Sequence, residues 1–144
     1  MSFLDHKKKE FKSLLKKYKD EIDHFILCEY GQRSKEDKLS EAFLYALEGS
    51  GKRFRPAVTL MVSDALKGSL STSYGALAVE LFHTASLVAD DLPSMDDDSV
   101  RRDKPSLHKV YGEDVAILTS YALIGEGYQC IFKNKEALKG LLTD

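Results

Sequence analysis

Residues 74–98 read YGALAVELFHTASLVADDLPSMDDD, and this stretch decides the fold class. From Tyr74 to Asp91 apolar residues occupy most sides of a helical wheel, as in a helix buried within a core. Asp90 and Asp91 close the run, Pro93 opposes helical continuation, and Asp96, Asp97 and Asp98 follow at once. A carboxylate at a helix C-terminus faces the negative end of the macrodipole, at a cost of about 0.3–1 kcal/mol. Acids gathered where a core helix ends therefore need a partner of opposite charge.

Working outward, the rest of the chain also reads as helices. Phe11, Leu14, Leu15, Tyr18, Ile22, Phe25 and Ile26 form one apolar stripe backed by a lysine-rich, solvated face. Leu39, Ala42, Phe43, Ala46 and Leu47 repeat the spacing, and Ser34 with Asp37 resembles a capping box. Gly49 and Gly51 stop that helix. Pro56 suits the first turn of the next, which carries Val58, Leu60, Met61, Val62, Ala65 and Leu66 and ends at Lys67 and Gly68. The polar run SLSTS leads into the core helix. Ser106 caps a short turn ending at Gly112, and a further helix runs from about Glu113 to Ile124, weakened beyond by Gly125 and Gly127. No segment alternates apolar and polar residues with the strand period. The expected class is all-α, one domain over 1–144.

Bulk properties narrow the function. The 144 residues, 43% hydrophobic and 31% charged, suit one globular domain. A net charge of -2 gives no electrostatic footprint for nucleic acid. Cys28 and Cys130 lie far apart without a CxxC pattern, which indicates a reducing compartment and no zinc site. The N-terminal HKKKE lacks the apolar core of a signal peptide. No apolar run approaches the roughly 18 residues of a membrane span. The expected location is cytoplasmic.

The acidic knot carries the chemistry. Magnesium takes oxygen ligands, keeps several waters and shares its site with substrate phosphates. Asp90 and Asp96, on either side of the proline break, are suited to converge on such ions. The turn Gly and terminal Glu of an EF-hand are missing, and no His/Cys cluster offers a zinc site. Arg101 and Arg102 add planar, permanently charged groups that match phosphate oxygens. His83 lies seven residues before Asp90, on nearly the same helix face and roughly 10 Å away along the axis. Taken alone, such a residue is usually a satisfied interior histidine. Upstream, GSGKRFRPA sets Lys52, Arg53 and Arg55 at a helix start, where free N–H groups attract anions. The Walker A spacing is absent. Acids for a metal beside arginines for phosphate suit a metal-chelated diphosphate.

Together these segments resemble the trans-isoprenyl diphosphate synthases, the polyprenyl synthetase family. GSGKRFRP is similar to the family's GGKRxRP. FHTASLVADDLPSMDDDSVRRDKPSLH is similar to its first aspartate-rich region, with the six-residue separation of Asp90 and Asp96 seen in bacterial-type short-chain enzymes. The resemblance implies an antiparallel helical bundle and a Mg2+-dependent condensation of isopentenyl diphosphate with an allylic prenyl diphosphate. It also implies roles. Lys52, Arg55 and His83 would bind the isopentenyl diphosphate, with Arg102 helping. Asp90 and Asp96 would hold Mg2+, with Asp91 supporting, and Arg101 would contact the allylic diphosphate. Ala85 and Ser86, the fifth and fourth residues before Asp90, are small, which favours a geranylgeranyl product over farnesyl. Ala85→Phe is then expected to shorten it.

The departures are equally plain. Ala89 stands where the family often has His, Asp103 where it usually has Gly, and Ser120–Tyr121 where a Gly-Asp pair often begins a helix segment. Family members are much longer and carry a second aspartate-rich motif, for which no cluster follows Asp103. The resemblance thus covers the N-terminal half of such an enzyme. Little activity is expected of the isolated chain, and exposed apolar helix faces would favour a homodimer or pairing with another synthase chain. The alternative reading is a non-catalytic, truncated or regulatory subunit of a full-length synthase. A class I terpene cyclase ranks last, because it does not need the second basic cluster.

Overall fold

Helix-forming periodicity dominates the computed structural model, which describes residues 3–33, 37–48, 51–66 and 72–139. Its elements are α1 (Phe3–Tyr30), α2 (Lys38–Leu47), α3 (Phe54–Ala65), α4 (Ser73–Asp90), β1 (Val100–Arg101), β2 (Lys104–Pro105), α5 (Leu107–Tyr111) and α6 (Glu113–Lys139). The fold is all-α, with one two-stranded antiparallel hairpin among the described residues.

The stretch 74–91 sits at the centre. Ala76, Leu77, Leu81, Ala85 and Val88 of α4 are buried, and α4 packs chiefly on α6 and next on α3. The pairing with α6 is antiparallel. Gly75 N donates to Asn134 Oδ1 at 3.0 Å near one end, and Ser120 Oγ donates to the Ala85 carbonyl at 3.1 Å towards the other. The same core takes Phe43 and Leu47 from α2 and Leu107 from α5. A second cluster unites Tyr18 and Ile22 of α1 with Ala57 and Leu60 of α3. The α1 stripe read from the sequence is buried at Tyr18 and Ile22 and partly buried at Phe25 and Ile26, whereas Phe11 and Leu14 are exposed.

Two expectations change. The cap of α2 is Asp37 itself, which accepts from Ser40 N at 2.8 Å. An aspartate satisfies a free N–H as well as a serine does, and Ser34 lies outside the described residues, as do Gly49, Lys67, Gly68 and 69–71 of the polar run. The last helix, moreover, runs straight through Gly125 and Gly127 to Lys139. Packing overrides propensity there. A Cβ on Gly127 would stand 2.8 Å from the Phe82 ring, while one on Gly125 would meet nothing within 4 Å. Gly127 is what lets α6 approach Phe82. We expect Gly125→Ala to raise stability by about 0.8–1 kcal/mol and Gly127→Ala to forfeit that gain, as measured by chemical denaturation.

Extended in this way, α6 is long and apolar enough, by length and composition, to cross a membrane. Within the fold its inner face supplies Val115, Ala116, Leu123 and Cys130 to the core, as a core helix does. Its outer face leaves Leu118, Tyr121, Tyr128 and Phe132 more than half exposed.

Candidate functional site

The GSGKRFRP segment is organised by a residue that points inward. Arg53 is the N-cap of α3 in the left-handed region (φ 46°, ψ 33°) and is 4% exposed. Its Nε donates to Asp23 of α1 at 2.9 Å, its Nη1 to Glu80 of α4 at 2.6 Å, and its Nη2 to the Leu47 carbonyl of α2 at 2.6 Å. Left-handed backbone costs a non-glycine residue about 1–2 kcal/mol, which three charge-assisted or strongly polarised bonds offset. Burial alone would depress the guanidinium pKa, yet Glu80 and Asp23 together hold it above its ordinary value. With Arg53 turned in, its neighbours Lys52 and Arg55 remain exposed on the outside.

The hairpin brings the second basic pair to the same place. Arg102 and Asp103 have φ of 54° and 66°, the two positive values that a tight type I′ turn demands. This turn parts the adjacent arginines. Arg101 reaches back to the end of α4, while Arg102 Nη1 lies 3.6 Å from Glu80. The Arg102 fork runs so close over Gly51 that a Cβ there would stand 2.6 Å from Nη1. Gly51, Lys52, Arg55, His83 and Arg102 line a cleft of about 410 Å³ with Glu80 at its floor. Arg55 Nη1 is 3.2 Å from His83 Nε2. Burial, and after it the Arg55 charge, push the His83 pKa below its ordinary value, so a neutral imidazole accepts from Arg55. At Asp103, glycine would relieve the left-handed backbone. Asp103→Gly should stabilise the chain by about 1 kcal/mol, read as a raised denaturation midpoint.

At the far end of α4 the acids divide into two sets. Asp91 is 2% exposed and accepts from Arg101 Nε at 2.8 Å and from its Nη2, which also donates to Asp98 at 2.7 Å. Asp97 pairs with Lys109 at 3.4 Å. No described residue bonds to the carboxylate of Asp90 or Asp96. The chain turns between these two so that Asp96 N donates to the Asp90 carbonyl at 2.9 Å, which joins their main chains across the proline break. Among the described residues no three acidic, histidine or cysteine side chains are arranged to enclose a metal ion. Two uncommitted carboxylates fit the magnesium habit of one or two protein ligands completed by water and phosphate.

Comparison with known proteins gives the family. The Polyprenyl synthetase family model matches residues 36–143. The chain belongs to the polyprenyl synthetase family. It is 39% identical over 131 residues to the farnesyl diphosphate synthase of Bacillus subtilis, a match spanning 90% of this chain and 40% of that protein. It is 47% identical over 98 residues to the mitochondrial geranylgeranyl pyrophosphate synthase 10 of Arabidopsis thaliana, covering 67% of this chain and 28% of that one. Its fold superimposes on a geranyltranstransferase from Thermotoga maritima with a TM-score of 0.77 at 35% identity, over 84% of this chain and 46% of that one. The chain therefore spans less than half the length of these relatives.

Within this family member the residues read from the sequence fall into distinct places. Lys52, Arg55, His83 and Arg102 share the basic cleft, and Asp90 and Asp96 share the acidic turn. Ala85 and Ser86 part company. Ala85 is 2% exposed beneath α6, whereas Ser86 is exposed, with its Oγ donating to the His83 carbonyl at 2.9 Å. Asp91 and Arg101 are bound to each other. Sequence reading gave no role to Glu80, Asp23 or the inward turn of Arg53. A signal was present: Glu80 is the lone acid within an apolar core helix, and a buried charge requires a buried partner.

Proposed function

We propose that the chain carries the basic cleft and first acidic turn of a prenyltransferase that condenses isopentenyl diphosphate with an allylic diphosphate. The observation that supports this most is the layout of α4. One helix presents His83 to a cleft lined by Lys52, Arg55, Arg102 and Asp103 and ends at Asp90, whose main chain is tied to that of Asp96. Among the described residues neither carboxylate makes a direct hydrogen bond. Lys52, Arg55, His83 and Arg102 would grip the isopentenyl diphosphate, and Asp90 and Asp96 would hold magnesium. Bound magnesium supplies charge neutralisation of the departing allylic diphosphate. Asp91 fixes Arg101 against this end of α4, so the guanidinium meets the allylic diphosphate from a held position. No nucleophilic side chain is needed. The free thiols of Cys28 and Cys130 fit a reducing, cytoplasmic setting.

The small residues before Asp90 support a product of geranylgeranyl length. Ser86 is the better site to test it, because Ala85 is enclosed by α6 and a phenylalanine there would be over-packed. Ser86→Phe should shift products towards shorter chains, read by mass. An unchanged spectrum would remove Ser86 from this role.

A second reading, a subunit that pairs with a longer synthase or with its own copy, is favoured by the exposed apolar face of α6. One assay separates the two. Purified chain is incubated with Mg2+, isopentenyl diphosphate and an allylic diphosphate, and prenyl products are identified by mass. Product formation supports the enzyme reading. Its absence, together with co-elution of the chain with a full-length synthase, supports the subunit reading.

A further inference from the structure

The cleft contains a contradiction. Its floor is an acid, Glu80, 1% exposed, beneath cations that would receive an anion. A carboxylate in that position repels a diphosphate, and low-dielectric surroundings strengthen the repulsion. Glu80 nevertheless bonds Arg53 at 2.6 Å and lies 3.6 Å from Arg102. These two arginines come from segments about fifty residues apart in sequence. Arg53 sets the left-handed turn from which Lys52 and Arg55 project, and Arg102 crosses Gly51 to close the cleft from the hairpin side. Asp23 and the Leu47 carbonyl hold Arg53 from two further helices. Every element that contributes a cation to the cleft is thus referenced to one carboxylate.

We infer that Glu80 is a positioning residue of the diphosphate cleft: a buried anion that sets Arg53 and Arg102, and through them Lys52 and Arg55, in an anion-binding arrangement. This rests on the reading of the cleft as a diphosphate site. Arg102 bears the mark of its place: burial depresses its pKa, and Glu80 offsets this only in part.

The sign of one substitution decides the matter. Glu80→Gln keeps the shape and removes the charge. If Glu80 acted only as a local negative charge, its removal would raise affinity for an anion. If it positions the cations, affinity falls despite the added positive charge. We expect at least a tenfold weaker binding of inorganic pyrophosphate to the Glu80→Gln chain, measured by calorimetric titration without Mg2+. The titration is run at a temperature where circular dichroism shows each variant fully folded, so that a role confined to stability leaves the affinity unchanged. Glu80→Asp, which keeps the charge and shortens its reach, should also bind more weakly. Unchanged or tighter binding in Glu80→Gln overturns the inference while leaving the cleft intact as a diphosphate site. A wild-type chain that binds no pyrophosphate, or binds it equally after Lys52→Ala with Arg55→Ala, overturns the cleft reading itself and this inference with it.

Discussion

Arg53→Ala is expected to destabilise the chain by about 3–5 kcal/mol, the cost of breaking a buried ion pair by removing one partner. The expectation follows from what would be left behind. Glu80, with a side chain 2% exposed, would hold a charge with no close partner except the more distant Arg102. The Leu47 carbonyl would lose its guanidinium donor. Asp23 adds less, because its side chain is 36% exposed and water screens it. Relief of the left-handed backbone does not apply, since alanine meets the same strain as arginine. Against a typical total stability of about 5–15 kcal/mol, such a loss approaches global unfolding, and urea denaturation followed by circular dichroism measures it. A double variant, Arg53→Met with Glu80→Leu, should recover most of the loss, because an apolar pair of similar volume avoids the desolvation cost of both charges. A single-variant loss under 1 kcal/mol would show that water reaches Glu80, and that the four-element junction is not held by this pair.

The junction also marks where the sequence stops being informative. The central helix was legible because its apolar residues cover most of its circumference, and the acidic turn because a proline separates two groups of like charge. The extent of α6 was not, because a glycine's local penalty says nothing of a ring packed against it. Gly127 becomes intelligible only with Phe82 beside it. The direction of Arg53 was hidden for a related reason. Three basic residues in four positions look alike in sequence, and the left-handed turn that sends one inward depends on Asp23, Leu47 and Glu80 arriving from three other helices. The roles of Ala85 and Ser86 separate on the same ground. Adjacent helical positions point about 100° apart, so one faces α6 and the other does not. The hairpin supplied an answer in the other direction, since positive φ at Asp103 accounts for the glycine that the resembling family usually carries there.

Asp90→Ala and Asp91→Ala should have opposite consequences, although the two acids are neighbours. Asp91 is buried and holds Arg101 through two donors, so its loss should cost about 2 kcal/mol in stability, the scale of hydrogen bonds to charged groups. The full penalty of a broken buried pair does not apply, because Arg101 is one-third exposed and keeps Asp98. Asp90 ends α4 at the negative end of its dipole, with a carboxylate that no described residue neutralises by a direct bond. Removing it should leave stability unchanged or raise it by about 0.3–1 kcal/mol. Binding should reverse this order. Asp90→Ala is expected to abolish the Mg2+-dependent part of pyrophosphate binding, and any prenyl turnover the wild type shows, because one of the two carboxylates proposed to hold magnesium is gone. Asp91→Ala should retain a weakened Mg2+-dependent response. Denaturation curves and calorimetric titrations with and without Mg2+, on the same preparations, test both halves. An Asp90→Ala chain as destabilised as Asp91→Ala would make Asp90 a structural cap. One that keeps the full magnesium response would move the metal site elsewhere. The separation matters because an unneutralised acid at a helix end is unfavourable on its own, and a ligand that supplies the missing charge resolves that cost.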